Sequence, residues 1–251
     1  MLPPIRGLIE SSLLEWEGRV STVVCLQGCN LRCPFCHSHN LISRDLPREV
    51  VPLRDVLALL GDRRGWTDGV VVSGGEPCIH PELPEFLAAF KSIGLPVKLD
   101  TNGTYPGMLA DLIDMGLADY VAMDLKAPLE EVRYAAAAGT CTDVAAVARS
   151  AALLLRGRVD YEFRTTVCPA VVSLEDLEPM ARSVAGARRY ILQQFVPETA
   201  FRRELRAVRP YASCDLLAVS QKLRGIVKSC TLRGQAEQLV PAASGNARSS
   251  A

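Results

Sequence analysis

The sequence predicts an α/β protein built as a partial, open (β/α)6 barrel of the TIM type. Three observations carry that prediction. Short β-branched or apolar runs alternate six times with segments of helical periodicity. Such alternation argues a parallel sheet with helices outside it. Eight units close a full barrel, so six leave it open. The chemically unusual residues stand after, or at the end of, successive strands, and in a parallel barrel those positions share one rim.

Each element has its own signal. Residues 1–19 are a lead-in, with Leu13–Trp16 reading as a helical turn or a cover over the barrel end. Val20–Leu26 is β-branched and apolar, a buried strand, and a cysteine-rich loop follows it. Pro52–Leu60 places Leu53, Val56, Leu57 and Leu60 on one helical face. Gly69–Ser73 is a strand that runs into Gly74-Gly75-Glu76-Pro77. Leu83, Phe86, Leu87 and Phe90 then have helical spacing, with Gly94 as the stop. Pro96–Asp100 is a strand that ends in Thr101-Asn102-Gly103. Its helix carries Leu109, Leu112 and Ile113 and ends at Gly116. Tyr120–Asp124 is a strand followed by Leu125-Lys126. Glu130–Leu155 is helical in two pieces around Gly139. Tyr161–Val167 is a strand, after which Ser173 is placed to cap a helix with Leu177, Met180, Ala181 and Val184 on one face. Tyr190–Phe195 is the sixth strand. A helix over Cys214–Ile226 and a strand-like Val227–Leu232 complete the pattern.

Composition bounds the function. The 251 residues are 49% hydrophobic and 22% charged, enough for a large core and one domain over residues 1–235, with its centre at about 20–196. Residues 236–251 are small and polar and are expected to be disordered. Net charge is zero, so nucleic acid is not indicated as a partner. Met1–Ser12 lacks the charged and apolar regions of a signal peptide, and no apolar run reaches the ~18 residues of a membrane span. Nine cysteines, an odd number and mostly scattered, point to a reducing cytoplasm.

The chemistry lies in Cys29-Asn30-Leu31-Arg32-Cys33-Pro34-Phe35-Cys36. Three soft thiolates so closely spaced make a metal site. Zinc with His37 or His39 as fourth ligand fits the spacing, and so does an iron–sulfur cluster with one iron left open. A zinc knuckle needs none of the other strand-end motifs, and that weighs toward the cluster. Gly74 and Gly75 let backbone approach a ligand closely or turn at positive φ. Glu76 is a charge-assisted acceptor. Asp100, Thr101 and Asp124 offer hard oxygens, while Lys126 and Arg164 bring positive charge to the same rim or pair internally with Asp124 or Glu162. Cys78 reads as a small buried filler.

With these motifs the sequence resembles the radical S-adenosylmethionine (SAM) enzymes, over about residues 21–195. Within them it is similar to glycyl-radical-enzyme activases, above all those of anaerobic ribonucleoside-triphosphate reductase, in a branch near the pyruvate formate-lyase activases. The residues that carry the likeness are Leu26–His37, Gly74–Pro77, Leu99–Gly103 and Met123–Lys126. The resemblance implies one [4Fe–4S] cluster on Cys29, Cys33 and Cys36, with SAM chelating the fourth iron. It places Phe35 by the adenine, Glu76 at the SAM ammonium and Asn102 at the ribose. Asp100, Thr101 and Asp124 hold a monovalent cation beside the SAM carboxylate. Gln194 stands where some activases carry histidine. Reductive cleavage of SAM gives methionine and a 5′-deoxyadenosyl radical, which takes a hydrogen from a glycine of the partner, and a flavodoxin or ferredoxin supplies the electron. The other readings are a pyruvate formate-lyase activase, a small-molecule enzyme such as 7-carboxy-7-deazaguanine synthase, and a non-catalytic zinc-binding module.

Overall fold

The computed structural model describes residues 2–42 and 49–234. The tail expected to be disordered lies outside the described residues. Eight strands form one sheet in chain order. β1 (Ile5–Ser12) runs antiparallel to β2 (Ser21–Leu26). All later neighbours are parallel: β3 (Gly69–Gly74), β4 (Val97–Thr101), β5 (Tyr120–Asp124), β6 (Asp160–Val167), β7 (Tyr190–Gln194) and β8 (Cys230–Arg233). β1 and β8 are the two edges, so the barrel is open as expected.

The helices are α1 (Leu53–Asp62), α2 (Leu83–Ser92), α3 (Pro106–Asp114), α4 (Glu131–Ala138), α5 (Val144–Leu155), α6 (Leu177–Ser183) and α7 (Ser213–Leu223). They follow β2 to β7, with α4 and α5 sharing one connection, and so give the six expected units. β3 shows why the strands read as continuous apolar runs. Val70 and Val72 join the core under the helices, while Val71 joins a smaller cluster with Val23 and Ala122. A parallel strand buried on both faces need not alternate. On α2, Leu83, Phe86, Leu87 and Phe90 are all fully buried. Each side chain so removed from water is worth about 1.5–3 kcal/mol. No helix among the described residues is long and apolar enough to cross a membrane.

Three expectations need correction. The lead-in is not helical: it supplies β1, and Trp16 is buried against Tyr120 with ring centroids 5.8 Å apart. Trp16 thus packs at the N-terminal end of β5, the cover half of the expectation. Ser173 does not cap α6; its backbone N–H donates to Asp176 Oδ2 at 2.9 Å, and Asp176 is the residue before the helix. The last helix stops at Leu223, so Ile226 lies beyond it.

Candidate active site

The cysteine loop leaves the C-terminal end of β2. Cys33 is buried, and Cys29 and Cys36 are half-buried. A tight turn brings the last two together, with Cys36 N–H donating to Cys33 O at 3.1 Å. Leu31 N–H points at Cys29 Sγ, 3.4 Å away. Burial pushes the Cys29 thiol up to about 11, aided by Glu76. Burial also raises Cys33 and Cys36, against the opposing pull of the Lys126 ammonium. Without metal these are neutral thiols, and cluster binding must release their protons. Among the described residues no three His, Cys, Asp or Glu side chains are grouped to hold one metal ion. Three soft thiols on one short loop are the kind of donor set that ligates an iron–sulfur cluster, one thiolate per iron.

Neighbouring strand ends fasten this loop. Glu76 N–H donates to Gly28 O at 2.8 Å. A Cβ on Gly75 would stand 2.0 Å from Gly28 O, so only glycine lets the β3 exit lie this close to the loop. His80 Nε2 and Gln27 O are 2.9 Å apart. From the β4 exit, Asn102 Nδ2 donates to Asn30 Oδ1 at 2.9 Å, and Asn30 Nδ2 donates to Thr104 Oγ1 at 2.9 Å. At the end of α4, Ala138 O accepts from Arg32 N–H at 2.8 Å. Gly139 follows at φ +68°, and its missing Cβ leaves room for Arg32 O. After β7, Arg202 N–H donates to Pro34 O at 2.9 Å. The sequence reading missed these last two grips, since no motif marks either one.

Glu76 is 1% exposed. Its carboxylate accepts from Thr101 Oγ1 at 2.8 Å, Asn102 N–H at 2.6 Å and Cys78 N–H at 3.0 Å. Burial raises its carboxyl above the ordinary value although these donors pull the other way. The structure therefore gives Glu76 the task of tying the β3 exit to the β4 exit. Cys78 is buried beside Thr101, as a filler should be.

The remaining polar residues line the inside of the barrel. Arg164 Nη1 donates to Asp100 Oδ2 at 3.1 Å, and its Nε to Asp124 Oδ1 at 2.8 Å. Lys126 Nζ donates to Asp124 Oδ2 at 2.7 Å and stands 5.9 Å from the Phe35 ring centroid. Burial alone would raise Asp124; Arg164 and Lys126 outweigh it and hold the carboxyl well below the usual range. Deeper in, Lys98 Nζ lies 3.6 Å from Glu162 Oε1 and 3.7 Å from Asp100 Oδ1. Arg233 Nη1 reaches Glu162 Oε1 at 3.2 Å. Arg164 thus bridges the two carboxylates expected to hold a monovalent cation. Thr101, one residue along β4 from Asp100, is committed on the opposite face to Glu76. Asp100 Oδ1 is buried and has no hydrogen-bond partner among the described residues. Phe35 is buried, and His37 is exposed. Gln194 Nε2 donates to Tyr211 O at 3.0 Å, toward α7.

Comparisons with known proteins bear on the family and the fold. The radical SAM superfamily pattern matches residues 23–184. The chain is 31% identical, over 80% of its length and 84% of the relative's, to the "Putative glycyl-radical enzyme activating enzyme MJ1227" of Methanocaldococcus jannaschii. It is 38% identical to the 7-carboxy-7-deazaguanine synthase of Aquifex aeolicus, over 35% of this chain and 38% of that one. In fold it is similar to Streptococcus suis SuiB bound to S-adenosylmethionine, with a TM-score of 0.65 and 15% identity, covering 83% of this chain and 48% of SuiB. By its sequence pattern and its open barrel with three thiols at the rim, the chain belongs to the radical SAM superfamily.

Proposed function

We propose that the chain is a radical SAM oxidoreductase that activates a glycyl-radical enzyme, with anaerobic ribonucleoside-triphosphate reductase as the partner and a flavodoxin or ferredoxin as electron donor. The observation that carries the activase reading is the extent of the likeness. It runs over 211 residues to the archaeal activating enzyme but over 88 to the deazaguanine synthase. Cys29, Cys33 and Cys36 would hold one [4Fe–4S] cluster, leaving one iron without a protein ligand for SAM. Together these groups supply one-electron cleavage of SAM and a radical that abstracts hydrogen.

The chain's own residues bind and orient. Lys126 and Arg164 offer positive charge at the rim where an anionic group of SAM arrives. Phe35, with Lys126 over its ring, forms an apolar wall beside Cys36. Glu76, Thr101 and Asn102 fix the loop that carries the thiols. The open side of the barrel admits a segment of another protein.

The test is an anaerobic mixture of reconstituted protein, SAM, reductant and the reductase, read by electron paramagnetic resonance. A glycyl radical on the reductase that depends on SAM supports the reading. A radical that forms instead on pyruvate formate-lyase moves the partner within the activases. SAM cleavage with no radical on either protein, and formation of 7-carboxy-7-deazaguanine, favours the deazaguanine reading that the Aquifex relative brings.

A further inference from the structure

The segment after β7 carries four exposed arginines, Arg202, Arg203, Arg206 and Arg209, and Arg32 lies exposed on the cysteine loop itself. Among the described residues none of the five has a carboxylate partner, in contrast to Arg133, Arg158 and Arg188, which are all paired. The whole chain is neutral, so this is a local concentration. The segment is fixed to the loop. Arg202 N–H holds Pro34 O, between Cys33 and Cys36, and Phe201 stacks near His39 with centroids 5.6 Å apart. Arg32 Nη1 donates to Cys29 O and Leu31 O, both at 2.8 Å, which keeps its charge at the loop. Between the segment and α4 lies a cleft of ≈ 560 Å³ lined by Pro34, Val132, Ala136, Val171 and Leu205, with Arg202, Glu204 and the Asp176-paired Arg133 also in its wall. Val132 is 84% exposed there.

We infer that the arginine-bearing segment after β7, with the apolar cleft beside it, is where an acidic one-electron carrier protein docks. The inference rests on the radical SAM reading above and names a partner surface for it. Four exposed arginines within eight residues, none with a carboxylate partner among the described residues, give this segment a positive face that an acidic protein surface complements. The apolar floor suits a protein surface rather than a small anion. The cleft wall also includes Pro34, one residue from Cys33, so a carrier seated there is close to the thiols that receive the electron. One electron leaves the reduced flavin or iron–sulfur centre of the carrier and one arrives at the cluster, with no bond made or broken.

The experiment compares the cluster-loaded wild type with Arg202→Glu/Arg203→Glu and the milder Arg202→Gln/Arg203→Gln. Binding of an acidic flavodoxin is measured by titration calorimetry, and cluster reduction is followed by absorbance with reduced flavodoxin or with dithionite. Flavodoxin binding to the wild type weakens about tenfold between low and high salt, as rim charges dictate. The Glu variant binds about tenfold more weakly at low salt, the Gln variant falls between, and both are reduced normally by dithionite. Unchanged flavodoxin binding in the Glu variant, with normal reduction by dithionite, overturns the docking site alone. So does normal flavodoxin binding with lost glycyl-radical formation under dithionite, which assigns the face to the radical acceptor. A wild type that takes up no cluster overturns the radical SAM reading and the docking site with it.

Discussion

Single side chains decide how firmly the thiols are presented. Asn102 spans from β4 to Asn30 on the cysteine loop and also accepts from Thr104. Asn102→Ala should cost about 1–3 kcal/mol, the usual price of partners left unsatisfied. It should also speed loss of iron from the reconstituted protein, measured by iron content against time. Gly75→Ala forces a Cβ against the Gly28 carbonyl and should destabilise the fold by about 1–3 kcal/mol in urea unfolding. The chemical identities of these residues were legible in the sequence, but their working partners were not. Glu76 and Asn102 read as groups waiting for SAM, because a sequence shows a carboxylate or amide without showing the N–H that meets it. The structure shows those groups: Glu76 accepts from Thr101, Asn102 and Cys78, and Asn102 donates to Asn30.

At the scale of elements, the six strand–helix units were legible because each strand is a β-branched or apolar run and each helix keeps one apolar face. β1 was not. Ile5–Ser12 contains Gly7, has exposed residues at its far end, and pairs antiparallel across a bulge. An edge strand of that kind has neither strict alternation nor a continuous apolar run. The corner between α4 and α5 was legible from Gly139, yet not its grip on the loop, which depends on a backbone bond from Arg32 to Ala138. Gly139→Ala should loosen that grip, since its φ of +68° and the nearness of Arg32 O both resist a Cβ. The expected result is slower cluster assembly with little change in far-ultraviolet circular dichroism. Assembly at the wild-type rate would show that the loop is held well enough without it.

For the whole molecule, the buried ions between the sheet and its rim set the pH response. Burial disfavours the charged form of Glu162, but Lys98, Arg233 and Arg164 outweigh it and hold the carboxyl below its ordinary value. A carboxyl depressed in the folded state adds stability that is fully present above its unfolded value of about 4.3. That stability is lost as pH falls through the folded value. Urea midpoints should therefore fall from pH 7 to pH 3, and Glu162→Gln should flatten that fall; parallel curves for wild type and variant would contradict the assignment. Lys98→Met leaves two buried carboxylates without their shared ammonium and should cost about 3–5 kcal/mol.

The central claim is that Cys29, Cys33 and Cys36 hold a cluster whose remaining iron binds SAM. Electron paramagnetic resonance of the anaerobically reconstituted, reduced protein tests it most directly, with and without SAM and beside Cys33→Ala. The account predicts a reduced-cluster signal that changes shape when SAM is added and is absent from the Cys33→Ala protein. A silent wild type containing zinc and no sulfide would contradict it and return the loop to a structural role.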